Sequence, residues 1–221
     1  MNSENRVVIE VFGEGKTDVQ DEARSPTPEP PTKGVVPVLV HTLCGRPVAM
    51  LVKRYGRLFM QQRGSLKQKA RSAKGQARIS GSAGAVFVVD SDGDLKGRKR
   101  DLNDGRRMEP GDFPMAIGVG HPCIETWLLA DPAAIRRGLE LPKAPQTPDE
   151  PESLATPSQD KRKNPKAALA RAAGQQKQDL SAREKERIAV AMNDLPRLRE
   201  RCPQGFAPFA DEVEFHIGPL F

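Results

Sequence analysis

The run Ala85-Val86-Phe87-Val88-Val89-Asp90-Ser91-Asp92-Gly93-Asp94 passes without a break from apolar residues to a turn crowded with three carboxylates. Its apolar half is rich in β-branched and aromatic residues and does not alternate with polar ones, which is how a strand buried on both faces reads. The acids therefore lie at the carboxyl end of an inner strand. In open parallel sheets ligands bind at that end. Carboxylates packed there would repel one another if left alone, so they point to a hard divalent cation held by oxygen ligands.

Working outward, residues 6–12 (Arg-Val-Val-Ile-Glu-Val-Phe) form a second strand-like run that stops at Gly13-Glu14-Gly15. The glycines permit a tight turn and leave Glu14 at another strand end. If the two strands are parallel and close in one sheet, Glu14, Asp90 and Asp92 converge. Residues 113–119 (Phe-Pro-Met-Ala-Ile-Gly-Val) read as a further inner strand, followed by Gly120-His121-Pro122. In residues 123–130, Ile124, Trp127 and Leu128 fall on one helical stripe, with Glu125 in its first turn.

Elsewhere the signals are coarser. Residues 48–52 read as a strand. Residues 35–43 are apolar but contain Pro37, which fits a short helix or a strand equally well. Helices are expected over 66–77, 166–173, 182–192 and near 209–215, and the polar stretch 96–107 as a loop or a short exposed helix. The proline-rich segment 25–32 reads as an exposed linker, and 141–165 has too little apolar mass to pack.

At 221 residues the chain can bury one substantial core with a small appendage. Its net charge of +6 is unevenly placed: between residues 53 and 78 stand nine basic residues and no acid. These are Lys53, Arg54, Arg57, Arg63, Lys67, Lys69, Arg71, Lys74 and Arg78, a polyanion-binding signature. Cys44, Cys123 and Cys202 are far apart and odd in number, so they suggest neither a disulfide framework nor a zinc knuckle. No apolar stretch approaches the length of a membrane span, and the opening Met-Asn-Ser-Glu-Asn is no secretion signal. A cytoplasmic protein without membrane partners is expected.

Several motif readings compete for the acidic turn. A calcium loop of EF-hand type would need glycine at its sixth and glutamate at its twelfth position. Counted from Asp90 those positions are Leu95 and Asp101, and a strand precedes, which excludes it. The string also resembles the first motif of haloacid-dehalogenase phosphatases, with Asp90 as nucleophile, although Asp94 stands where that motif has threonine. Gly15-Lys16-Thr17 ends like a phosphate-binding loop, but the glycine required five residues earlier is Glu10, inside the strand. Lys16 keeps a role only as a phosphate contact.

The arrangement as a whole resembles the TOPRIM domains of topoisomerases, primases and OLD-family nucleases, which carry a glutamate after the first strand and an Asp-x-Asp pair after a later one. Here those are Glu14 in Val11-Phe12-Gly13-Glu14-Gly15 and Asp90 with Asp92 in Val88-Val89-Asp90-Ser91-Asp92. The segment from Gly120 to Asp131 (Gly-His-Pro-Cys-Ile-Glu-Thr-Trp-Leu-Leu-Ala-Asp) is similar to one in small stand-alone proteins of the OLD/RloB-like kind. Cys202-Pro203-Gln204-Gly205-Phe206 is similar to their C-terminal region.

The resemblance implies an α/β, Rossmann-like TOPRIM fold with a central, mostly parallel sheet flanked by helices. The domain reading is a catalytic core over 1–135 with a basic insert near 53–80, a mobile proline-rich linker over 136–165, and a helical C-terminal segment over 166–221 packing on the core. It further implies a nuclease that hydrolyses phosphodiesters of DNA, in preference to RNA, with Mg²⁺ or Mn²⁺ held by Glu14, Asp90 and Asp92. Asp94 and Glu125 would be further ligands or outer acids, and the basic stretch would hold the nucleic-acid backbone. By analogy the setting is phage defence, with an ATPase partner supplied by another protein. Two other readings stand beside it: the phosphatase with Asp90 as nucleophile, and a TOPRIM-like binding or assembly module without activity.

Overall fold

The computed structural model describes residues 7–13, 34–45, 49–54 (backbone only), 64–155, 164–176 and 178–221. Four strands form one open parallel sheet: β1 (Val8–Gly13), β2 (Ala49–Arg54), β3 (Gly84–Asp90) and β4 (Met115–Gly120). Their order is β2-β1-β3-β4, and β1 pairs with both β2 and β3. The protein is therefore α/β, as the unalternating apolar runs predict.

Side chains on successive strand residues go to opposite faces, and the core divides accordingly. Val86 and Val88 pack with Ile9 and Val11 on one face. Ala85, Phe87 and Val89 pack with Phe12, Met115 and Val119 on the other. The second face is covered by α2 (Leu66–Ile79) and α3 (Leu95–Met108), through Ala70, Ala73, Ala77 and Leu102. The first is covered by α1 (Val35–Cys44) and the helices of the chain's second half. Those are α4 (Glu125–Leu129), α5 (Pro132–Leu139), α6 (Pro165–Ala172), α7 (Ala182–Ala191), α8 (Leu195–Arg201) and α9 (Phe206–His216). Among the described residues no helix is long and apolar enough to cross a membrane.

Pro37 does not prevent α1, because it falls in the first turn, where its missing N–H has no intrahelical acceptor. The polar stretch after the acidic turn, expected as a loop or a short exposed helix, is the 14-residue helix α3, packed against α2. Its packing rests on Gly105, where an added Cβ would stand 2.2 Å from the Lys67 carbonyl oxygen and 2.7 Å from Ala70 Cβ. Two backbones so close need a residue without a side chain.

The expected linker over 136–165 is corrected where it is described. Residues 136–139 belong to α5, and a 3-10 turn, Pro151–Ser153, buries Pro151 and Glu152. Arg201 fastens this stretch by donating to the carbonyls of Pro148 and Asp149, and at 2.7 Å to that of Ala130. Both Glu152 oxygens accept backbone N–H groups, from Gln204 at 2.8 Å and Gly205 at 2.6 Å. Prolines here shape a packed loop. The linker expected over 25–32 lies outside the described residues.

Candidate functional site

The strand order reverses direction once. From β1 the chain moves outward to β2, then returns across β1 to lay down β3 and β4 on its other side. At such a switch the loops leaving neighbouring strands diverge and open a crevice at their carboxyl ends, the usual ligand site of an open α/β sheet. The strands flanking the switch are β1 and β3. Gly13, the last residue of β1, pairs with Val88, and β3 runs on to Asp90.

The loop after β3 is tied to the loop after β4. Ser91 N–H donates to the Gly120 carbonyl at 2.8 Å, and Asp92 N–H to the Pro122 carbonyl at 3.3 Å. Asp90 Oδ1 accepts the Ile124 N–H at 2.9 Å, just before α4. A Cβ on Gly120 would come within 2.9 Å of that oxygen, so glycine is what lets the two loops approach. Asp92 (φ 47°) and Gly93 (φ 90°) take left-handed backbone to close the turn, a conformation aspartate tolerates better than most residues. Ser91, fully buried between the two acids, has its Oγ 3.0 Å from His121 Nδ1 and 3.2 Å from the Pro122 carbonyl. His121 precedes Pro122 through a cis peptide bond.

Residues 30–214 match a protein family described as a domain of unknown function, DUF4276. The chain belongs to the DUF4276 family. The matched range takes in the acidic turn and the segment 120–131 and begins after Glu14. No curated protein and no solved structure matches the chain.

In this DUF4276 chain the structure gives several of the expected site residues other occupations. Asp94 is the N-cap of α3, its Oδ1 accepting Gly97 N–H at 3.0 Å. Asp92 Oδ2 stands 3.0 Å from Arg98 Nη2. Glu125 is buried in an ion pair with Lys185, 2.5 Å away, and Lys185 also reaches Asp179 at 2.7 Å. Burial opposes ionisation of Glu125, but Lys185 and Lys166 outweigh it and hold the carboxyl below its usual range. Burial, with the charges of Glu125 and Asp90, pushes the Cys123 thiol far up, so no thiolate forms beside the acids. Among the described residues no three His, Cys, Asp or Glu side chains group as a metal set. Glu14 lies outside the described residues, as does Lys16.

The basic stretch is corrected in part. Lys74 is buried and donates to three carbonyls, of Arg106 (3.2 Å), Glu109 (3.0 Å) and Gly111 (2.9 Å). It anchors the end of α3 rather than contacting a phosphate, and its desolvation lowers its pKa. Lys67 pairs with Asp104, while Arg71 and Arg78 pair with Glu109. Asp104 of α3 and Glu109 at its C-cap thus answer the positive face of α2 from outside the basic segment. Lys69 also lies on α2. The side chains of Lys53 and Arg54, and residues Arg57 and Arg63, lie outside the described ones.

Two lysines in this region are not among the residues expected from the sequence. Lys185 arrives from α7, and Lys99 on α3 is held by the Gln204 carbonyl at 2.8 Å. Neither has a local signal, because each partner lies many residues away.

Proposed function

We propose that the DUF4276 chain is a metal-dependent phosphodiesterase of TOPRIM type acting on nucleic acid, with DNA the preferred substrate. One observation carries the reading: the strand order reverses between β1 and β3, with Asp90 at the end of β3 and Glu14 next in sequence after β1.

Asp90, Asp92 and Glu14 would hold the cation, and their oxygen-only chemistry suits Mg²⁺ or Mn²⁺. The bound ion would supply Lewis-acid polarisation of the scissile phosphate. Asp94 and Glu125 are left out of this set, since one caps a helix and the other neutralises a buried lysine. The Ile124 N–H donated to Asp90 would hold that carboxylate at the strand end before substrate arrives. Basic residues of the chain would bind the nucleic-acid backbone without reading sequence.

The test is conversion of supercoiled plasmid in the presence of Mn²⁺. Wild type is expected to nick or linearise it, and an Asp90→Ala, Asp92→Ala double variant to leave it intact. Equal behaviour of the two proteins contradicts the proposal. Hydrolysis of a small phosphate monoester, lost in Asp90→Asn, would favour a phosphatase instead.

A further inference from the structure

Two hydrogen bonds meet at the buried Ser91 hydroxyl, one with the Pro122 carbonyl and one with His121 Nδ1. The hydroxyl has a single proton, and a carbonyl can only accept. Both bonds are made only if the hydroxyl donates to Pro122 and Nδ1–H donates to the hydroxyl. In a neutral imidazole this leaves Nε2 with its lone pair. Nε2 bonds to no described residue and is not among the enclosed, unpartnered side-chain atoms.

Its place is also fixed. His121 follows Gly120, the residue that pairs with Asp90 across the sheet, so His121 stands one residue beyond the acid's own partner, with its ring against Ser91. Burial, and then the nearby Lys99 ammonium, disfavour the charged imidazolium.

We infer that His121 is the general base of the crevice, accepting at Nε2 a proton from the attacking water, with Ser91 as the positioning residue that sets its tautomer. This rests on the phosphodiesterase reading above. Water gives one proton to Nε2 and its oxygen bonds to phosphorus. The bond from phosphorus to the leaving sugar oxygen breaks, and its electron pair stays on that oxygen, which takes a proton from solvent. The imidazolium then returns its proton to solvent, so the sum is hydrolysis.

The experiment compares plasmid cleavage by wild type, Asp90→Ala and His121→Ala in Mn²⁺, with and without added imidazole. A long-range ¹H–¹⁵N spectrum of the histidine rings is recorded for wild type and Ser91→Ala. His121→Ala is expected to slow cleavage by about 100-fold or more, with partial recovery in imidazole. The wild-type spectrum is expected to show a proton on His121 Nδ1 and none on Nε2, a preference weakened in Ser91→Ala. A wild-type rate in His121→Ala, with cleavage lost in Asp90→Ala, overturns the role of His121 and leaves the phosphodiesterase reading standing. A proton on Nε2 in the wild-type spectrum overturns it too, whether or not the alanine variant folds. Cleavage indifferent to Asp90→Ala overturns both.

Discussion

Glu125 and Lys185, on α4 and α7, meet at 2.5 Å with both side chains out of solvent, and so join the loop after β4 to the C-terminal helices. A buried pair of this kind is a weak source of net stability, but losing one member strands the other charge. Lys185→Ala is expected to cost about 3–5 kcal/mol in urea unfolding. Loss of Glu125 and Lys185 together, as Glu125→Gln with Lys185→Met, is expected to cost much less than Lys185→Ala alone. A Lys185→Ala variant as stable as wild type would contradict the pairing.

The same pair sets a pH dependence. Glu125 has its pKa lowered in the folded chain, so its contribution is present above the ordinary carboxylate value and lost as pH falls through the folded one. Lys185 has its pKa raised by Glu125 and Asp179 against the opposing effect of burial, so its contribution is present below the ordinary lysine value and lost as pH rises through the folded one. The stability difference between wild type and the Glu125→Gln, Lys185→Met double variant is expected to be level across neutral pH. It should shift against wild type below about pH 4 and above about pH 10.5. A difference that does not change with pH would show that the pair is not ionised.

Gly105 offers a test of opposite sign to helix propensity. Gly→Ala in an open helix interior gains up to about 1 kcal/mol. Here the new Cβ would meet the Lys67 carbonyl, part of a backbone that cannot swing aside. Gly105→Ala is expected to lose about 1–3 kcal/mol by forcing α2 and α3 apart. A gain would mean that the helices pack more loosely than described.

Asp94 separates a cap from a ligand. Asparagine caps helices as well as aspartate, whereas alanine loses about 1 kcal/mol. Asp94→Asn is expected to keep both stability and plasmid cleavage, and Asp94→Ala to lose stability. Abolished cleavage in a fully stable Asp94→Asn would restore Asp94 to the metal set.

β4 is one of the two edge strands of the described sheet, and side chains close part of its exposed edge. Glu212 Oε2 accepts the Ile117 N–H at 3.3 Å, Arg106 donates to the Met115 carbonyl at 2.9 Å, and the two side chains pair at 2.5 Å. An open edge invites strand addition by another chain. Glu212→Ala is expected to lose about 1–3 kcal/mol and to raise the fraction of higher oligomers in size-exclusion chromatography. An unchanged elution profile and stability would contradict this.

What the sequence discloses and what it hides follow from the range of the interactions. The strands of 8–13, 84–90 and 115–120 are legible because each is an apolar run ending in turn residues. The length and packing of helix α3 are not, because its contact with α2 is carried largely by a glycine rather than by an apolar stripe. The loop 141–155 reads as loose because the partners of Glu152 lie more than fifty residues away, at Gln204 and Gly205. Glu125 reads as a ligand for the same reason: a carboxylate at a strand end looks available until α7 brings Lys185 to it. The basic run reads as a polyanion surface because the acids that answer it, Asp104 and Glu109, come from the next helix and its C-cap. Asp90 keeps its place at the carboxyl edge in both readings.

The most direct measurement is anomalous diffraction from crystals soaked in Mn²⁺. A peak is expected within about 2.5 Å of the Asp90 carboxylate, shared with Asp92 and lost in the Asp90→Ala, Asp92→Ala variant. A crystal whose manganese binds only elsewhere, with the β1–β3 crevice holding none, would contradict it.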